Sequence, residues 1–217
     1  MTDQNQKIKK RYNRIAGLYD IMETPMEFGF SKWRQSMLDQ AGGRTLEVGI
    51  GTGKNIPYYP DHIHLTGIDF SERMISVAGK RYGDRENVEL RVMDAQHMDF
   101  PDDSFDTVVT SCVFCSVPHP VQGLKEIRRV SKPGGQILML EHVRSHKPVV
   151  GKVMDLLNPI PLNIYGANIN RETEDNLLSA GFSRREISVT NLWMDIFKAI
   201  RIQNMKHKDA LQNKNSD

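Results

Sequence analysis

Short apolar runs alternate with longer amphipathic stretches through the middle of the chain, and this alternation sets the fold expectation. Thr45 to Val48 and Leu65 to Ile68 read as two buried strands, each ending at a glycine or a carboxylate. Between them Gly53 to Tyr59 has room only for a short helix, because Pro57 and Pro60 interrupt it. Ser71 is placed to cap a helix over Glu72 to Tyr82, in which Met74, Ile75, Ala78 and Tyr82 share one face. Val88 to Val92 alternates as a third strand, and the β-branched run Phe105 to Val113 suits a fourth covered on both faces. Val121, Leu124, Ile127 and Val130 recur at steps of three; the turn KPGG, Lys132 to Gly135, ends that helix and launches a fifth strand, Gln136 to Val143. Strand and helix in repetition select a doubly wound α/β sheet.

After residue 143 the pattern changes. Pro148 to Ala167 is rich in Pro, Leu, Ile and Val, and its NPIPLNIYG run is too interrupted for a long helix. Arg171 to Ala180 returns to helical spacing with acidic first turns, and Gly181 closes it. Arg185 to Thr190 and Trp193 to Ile200 predict a terminal antiparallel hairpin. The chain thus divides into an N-terminal helical segment, 1–40, a main domain, 41–202, with an insertion at 145–169, and a polar tail, 203–217, expected to be disordered.

Composition narrows the classes. A chain of 217 residues suits one main core, and a net charge of +2 is too small to imply a polyanion partner. The basic cluster Lys7, Lys9, Lys10, Arg11 and Arg14 is a solvated helix face or a contact for an anionic membrane surface or acidic substrate. No basic patch with interleaved aromatics points to nucleic acid. No eighteen-residue apolar window spans a bilayer, and no apolar core follows the basic N-terminus as in a secretion signal. Cys112 and Cys115 read as packed thiols in a reducing compartment, without the second pair of a zinc site, and no metal is expected. The expected location is cytoplasmic, with peripheral contact at the inner face of a membrane left open.

The candidate chemistry sits at TLEVGIGTGKN, Thr45 to Asn55, where Gly49, Gly51 and Gly53 alternate after the first strand. Such a turn brings backbone N–H groups close to a ligand. Asp69, twenty residues after Gly49, stands at the end of the second strand, where a carboxylate accepts from ribose hydroxyls. A dinucleotide fingerprint wants glycine where Lys54 stands, and a phosphate loop wants Ser or Thr where Asn55 stands. Glu47 would repel a pyrophosphate but could orient a cationic aminoacyl group, directly or through the loop. A sulfonium nucleoside fits these residues better than NAD or ATP.

With LEVGIGTG, TGIDFSERM, MDAQHMDFPDDSFDTVV and LKEIRRVSKPGGQILMLEH in place, the chain resembles the class I S-adenosylmethionine-dependent methyltransferases from about Arg11 to Val143. The resemblance implies a seven-stranded, mostly parallel sheet with a reversed last strand. It implies that Gly49, Gly51 and Gly53 shape the cofactor loop, that Asp69 lies at the ribose with Phe70 also binding the cofactor, and that Asp94 and Ala95 meet the adenine edge. Met74 would pack on the adenine face, with Ser111 and Cys112 as the floor. The stretch Arg11 to Arg34 is similar to the N-terminal region of the quinone-biosynthesis C-methyltransferases, which makes Tyr12 and Tyr19 candidates for a cover over the cofactor. CSVPHPVQGLKEI and MLEHVRS resemble proteins that methylate small thiols and bacterial phospholipid N-methyltransferases.

An apolar or amphiphilic acceptor, quinol-, thiol- or lipid-like, is expected, walled by Phe28, Leu156, Ile164 and Tyr165 on the side where it approaches the sulfonium. His142 and His119 have the intrinsic pKa for proton transfer, and Glu141 could position or deprotonate an acceptor. Methylation of protein or RNA, and cofactor binding without catalysis, are the competing readings.

Overall fold

The computed structural model describes residues 3–17, 19–164 and 166–206, and of residues 3–5 and 21–28 the backbone only. Two helices, α1 (Asp3–Ile15) and α2 (Tyr19–Leu38), precede the first strand. The sheet is built from β1 (Arg44–Val48), β2 (His64–Asp69), β3 (Val88–Val92), β4 (Phe105–Ser111), β5 (Ser131–His142), β6 (Ile187–Trp193) and β7 (Phe197–Gln203). Helices α3 (Glu72–Tyr82), α4 (Pro120–Val130), α5 (Pro148–Leu157), α6 (Pro159–Ile164) and α7 (Thr173–Ser179) lie between the strands. Strand order is β3-β2-β1-β4-β5-β7-β6, with β7 antiparallel to both its neighbours and the other pairs parallel. This is the seven-stranded α/β sheet with one reversed strand that the sequence motifs implied.

The central strands are apolar on both faces because both are covered. Leu46, Val48, Val108 and Ile137 pack with Leu124, Ile127 and Val130 of α4 and Leu177 of α7 on one side. Val109, Leu138 and Leu140 pack with Met37 and Leu38 of α2 and with Ile56 and Tyr59 on the other. Each such fully buried side chain contributes about 1.5–3 kcal/mol. In α3, Ser71 Oγ accepts from the Met74 N–H at 3.2 Å, while Met74 and Ala78 face the core. That cap fixes the helix start where the sequence placed it.

Several boundaries differ from expectation, each for a local reason. Only a single 3₁₀ turn, Ile56–Tyr58, forms there, with Pro57 in its first positions and Pro60 soon after it. β4 stops at Ser111 because Cys112 adopts φ 53° and turns the chain off the sheet edge. β5 begins at Ser131: Phe105 pairs with Ser131 and Thr107 with Gln136, so the KPGG residues loop out of register within the strand. Pro148 to Ala167 is more regular than expected, forming α5 and α6, because Pro148 and Pro159 occupy helix starts, where a missing N–H costs nothing. The hairpin lies two to four residues later than expected. Its second strand therefore takes in Gln203, and Asn204 is buried, donating through Nδ2 to the Arg128 and Ser131 carbonyls. A disordered tail starting at 203 is thus corrected; residues 207–217 lie outside the described residues.

Candidate functional site

The first strand ends in a turn that only glycine makes cheaply. Gly49, Gly51 and Gly53 adopt φ of 73°, 58° and 84°. Gly49 and Ile50 both donate to the Ile68 carbonyl, at 2.8 and 3.0 Å, which folds the loop over the end of β2. The three glycines have separate duties. A Cβ at Gly49 would lie 2.5 Å from Val113, one at Gly53 2.9 Å from Tyr82, and one at Gly51 would enter open space. Gly49 and Gly51 line a cleft of about 740 Å³ at the carboxyl ends of β1, β2 and β4. Gly53 does not; it closes the loop against α3 instead.

Asp69 is the pivot of the cleft. Its Oδ2 accepts from Gly51 N–H at 3.1 Å and its Oδ1 from Ser71 N–H at 2.8 Å, tying the glycine loop to the start of α3. Burial raises its pKa to about 6, against the pull of those two donors. Each oxygen retains a lone pair, since an ionised carboxylate has about four acceptor sites. Asp94 lines the same cleft and accepts from both the backbone and the side-chain amide of Gln96 at 2.9 Å. Phe70, Met74, Ala95, Ser111 and Cys112 join the lining, and so do Tyr12 and Tyr19. The open space beside Gly51, flanked by Asp69 and Asp94, fits a nucleoside.

The N-terminal helices cover this cleft through polar ties. Tyr12 Oη is 2.5 Å from Ser116 Oγ and its ring stacks edge-on to Phe70 at 5.7 Å. Asn13 Oδ1 accepts from Ser71 Oγ at 2.6 Å, Lys9 pairs with Glu72, and Arg11 donates to the Leu162 carbonyl at 2.6 Å. At the start of α2, Asp20 accepts from Thr52 Oγ1 at 2.6 Å and pairs with Arg81.

Glu47 lies behind the loop, 1% exposed, with Oε1 accepting from Asn55 Nδ2 at 2.5 Å and Oε2 from Tyr59 Oη at 3.0 Å. Of the two roles left open for it, action through the loop matches this geometry. Burial drives its pKa to about 8, opposed by its two hydrogen bonds and by Arg34. The unfolded carboxyl titrates near 4.5, so between about 4.5 and 8 the folded chain keeps a proton the unfolded chain has lost. Stability from this group is therefore complete at the acid end and declines as pH rises toward 8. Glu47→Gln, which cannot ionise, should flatten the decline of the urea midpoint between pH 5 and 8; an unaltered slope would assign it to Asp69 and Glu141 alone.

Three residues named for proton transfer lie off the cleft lining. Glu141 is fully buried, its Oε1 accepting from Thr110 Oγ1 at 2.8 Å and Val113 N–H at 3.4 Å, and burial raises its pKa to about 7. It holds the turn after β4. His142 points to the other face of β5, its ring edge-on to Phe197 at 4.9 Å, and burial lowers its pKa to about 4. His119 is exposed and precedes α4, its backbone N–H donating to Gln96 Oε1 at 3.0 Å. Strand alternation could not tell which face each side chain takes.

The expected acceptor wall also needs correction. Leu156 and Ile164 are 78% and 54% exposed and absent from the cleft lining. The Tyr165 residue and the Phe28 side chain lie outside the described residues. Ile8, Val113, Ser116, Val117 and Pro118 line the cleft instead. Arg34, 6% exposed, and Lys54 were also missed; with Glu47 and Asn55 they border a second cavity that shares Gly49, Gly51, Tyr19, Ser111 and Cys112 with the cleft. Arg34 carried no sequence signal beyond its place at the end of α2, whereas Gln96, two residues after Asp94, is legible as a turn partner. Among the described residues no three His, Cys, Asp or Glu side chains gather to hold a metal ion.

The family model described as a methyltransferase domain matches residues 46–139. A phosphatidylethanolamine N-methyltransferase of Cereibacter sphaeroides is 36% identical over 143 residues, 64% of this chain and 70% of that protein. A ubiquinone/menaquinone biosynthesis C-methyltransferase of Geotalea daltonii is 34% identical over 155 residues, 65% of each chain. The aligned part thus spans about two thirds of these relatives' length. Among solved structures, a possible histamine N-methyltransferase of Thermotoga maritima superposes with TM-score 0.70 at 23% identity, over 90% of this chain and 99% of that one. A Haemonchus contortus phosphoethanolamine N-methyltransferase 2, solved with S-adenosylhomocysteine, gives TM-score 0.61 at 22% identity, over 74% of this chain and 39% of that one. At these identities the structural likeness speaks for the fold.

Proposed function

The chain belongs to the S-adenosylmethionine-dependent methyltransferases, and from that premise we propose that it methylates a small apolar or amphiphilic acceptor, quinol-, thiol- or lipid-like. The observation that carries this reading is the mixed polar and apolar lining of the cleft. Asp69, Asp94 and Gln96 line it with polar atoms suited to a nucleoside, whereas Ile8, Val113, Val117 and Pro118 add apolar surface, with Tyr12 and Ser116 as polar handles. The names of the quinone and phospholipid relatives agree with that lining.

S-adenosylmethionine, when bound, supplies a methyl group on a sulfonium sulfur. The residues of the chain have positioning work to do. Asp69 would hold the ribose hydroxyls and Asp94 the adenine edge, with Met74 and Phe70 as packing partners. Arg34 and Lys54, on the loop side, offer cations to the carboxylate of the aminoacyl end. Tyr12, Tyr19 and Ile8 cover the cleft and keep water out, which supports an in-line attack without demanding a covalent role from the protein. A side-chain base is needed only where the acceptor arrives protonated, and Glu141, His142 and His119 are not placed for it.

The experiment is transfer of labelled methyl to phosphatidylethanolamine, a naphthoquinol and a small thiol, with products identified by mass. Labelling of at least one of these is expected. Labelling confined to protein or RNA in a cell extract would overturn the acceptor class, and calorimetric cofactor binding with no transfer to any acceptor would favour a regulatory binding protein.

A further inference from the structure

Six of the nine exposed large apolar side chains among the described residues fall in one stretch of sixteen residues: Val149, Val153, Leu156, Leu157, Ile160 and Ile164. The pattern is helical. Val149, Val153, Leu156, Ile160 and Ile164 follow at steps of four, three, four and four through α5 and α6, tracing an outward stripe. The inward face is already used: Met154 is buried, and a Cβ at Gly151 would lie 2.7 Å from the Ser145 carbonyl. Both faces are thus apolar, and the side chains of the outer one are 46–78% exposed. Helices of a monomer rarely keep such a stripe in water.

The charges around the stripe identify what covers it. Lys147 and Lys152 flank it, exposed, and the one acidic residue between 147 and 164, Asp155, is neutralised by Arg144 at 2.8 Å. α1 is fastened beside α6 by the Arg11 to Leu162 bond, and Ile8 packs next to Gly166. It shows Lys7, Lys10 and Arg14 to solvent at steps of three and four. At the other end, the β6–β7 turn, which carries exposed Trp193 and Met194, is fixed to the start of α5 by Asp195 accepting from Ser145 Oγ and His146 N–H at 2.8 Å each. Apolar side chains edged by lysines and arginines, with a tryptophan at the margin, are complementary to an anionic bilayer: acyl chains take the stripe and headgroups the cations.

We infer that α5, α6 and the basic face of α1 form a docking surface for an anionic lipid membrane. The surface adjoins the cleft. Ile8 and Tyr12 of α1 line that cleft, and Asn168, just past α6, donates to the Cys115 carbonyl at 2.8 Å beside it. An amphiphile could pass from the bilayer edge to the apolar lining of the cleft without entering bulk water. That route rests on the amphiphilic-acceptor reading, while the docking itself does not.

The test is sedimentation with phosphatidylglycerol and with phosphatidylcholine vesicles at low, physiological and high salt, using the wild-type chain and a Val149→Asp/Ile160→Asp variant. Both substitutions fall on exposed side chains outside the cleft. Wild-type protein should bind phosphatidylglycerol vesicles, lose binding as salt rises and bind phosphatidylcholine weakly; the variant should partition about tenfold less or lower. S-adenosylmethionine affinity, measured by calorimetry, should be the same in both, which controls for folding. Absence of vesicle binding at low salt, or equal binding by the variant, overturns the inference. So does a wild-type dimer that the variant converts to monomer, which would make a second copy the occupant. Vesicle binding is read without any methyl transfer, so its failure and that of the acceptor assignment are separate results.

Discussion

Asp69→Ala is expected to weaken S-adenosylmethionine binding by about a hundredfold to ten-thousandfold, because the two charge-assisted hydrogen bonds proposed to a ribose would vanish at about 1.5–3 kcal/mol each. The loss is compounded locally, since the Gly51 and Ser71 N–H groups lose their acceptor. Asp69→Asn, which keeps one acceptor oxygen, should fall between the two. The pH dependence has a definite sign. With its pKa near 6 in the free protein, Asp69 is ionised at neutral pH and becomes a poorer acceptor as pH falls through about 6. Wild-type affinity should therefore drop on the acid side, and the alanine variant should lack that drop. Calorimetric titration at pH 5, 6 and 7.5 measures both; wild-type affinity retained by the alanine variant would remove Asp69 from the site.

The second large effect separates two neighbouring glycines. Gly49→Ala forces a side chain into a left-handed backbone, at about 1–2 kcal/mol, and drives its Cβ against Val113. Val113 is β-branched and lines the cleft, so it cannot swing aside cheaply. Total destabilisation of about 2–4 kcal/mol is expected, together with loss of detectable cofactor binding. Gly51→Ala suffers the backbone strain alone, since its Cβ enters open space. It should lose only about 1–2 kcal/mol of stability, yet still lose most of its affinity, because the new methyl occupies the ligand's room. Urea denaturation beside calorimetry distinguishes the pair; equal stability losses in both would mean that the Val113 contact is not what excludes a side chain at Gly49.

What was legible in the sequence follows from what is local. α3 was read to the residue because its cap, Ser71, and its buried stripe both lie within the helix. The residues that meet in the cleft were readable because strand ends and glycine turns bring them together by chain order. Glu141 and His142 were misjudged because proton-transfer candidacy depends on which face of β5 each side chain takes, and that is settled by Thr110, Val113 and Phe197 from distant elements. Leu156 and Ile164 were misplaced because apolar composition is the same whether a helix faces a pocket or the outside. The prolines of that stretch misled for a related reason: at a helix start, proline is permissive rather than disruptive. Arg34 was invisible because its place at the second cavity comes from α2 lying against a loop more than a dozen residues further on.

The position of β7 has a consequence for how the chain is made. Among the described residues it follows every other strand in the chain, yet it sits inside the sheet, and β6 pairs there with β7 alone. A nascent chain that has emerged only as far as Asp195 leaves β5 with an open edge and β6 unattached. Completion of the sheet must therefore wait until Gln203 has been synthesised and exposed, and the interval leaves an unpaired apolar strand accessible to neighbouring chains.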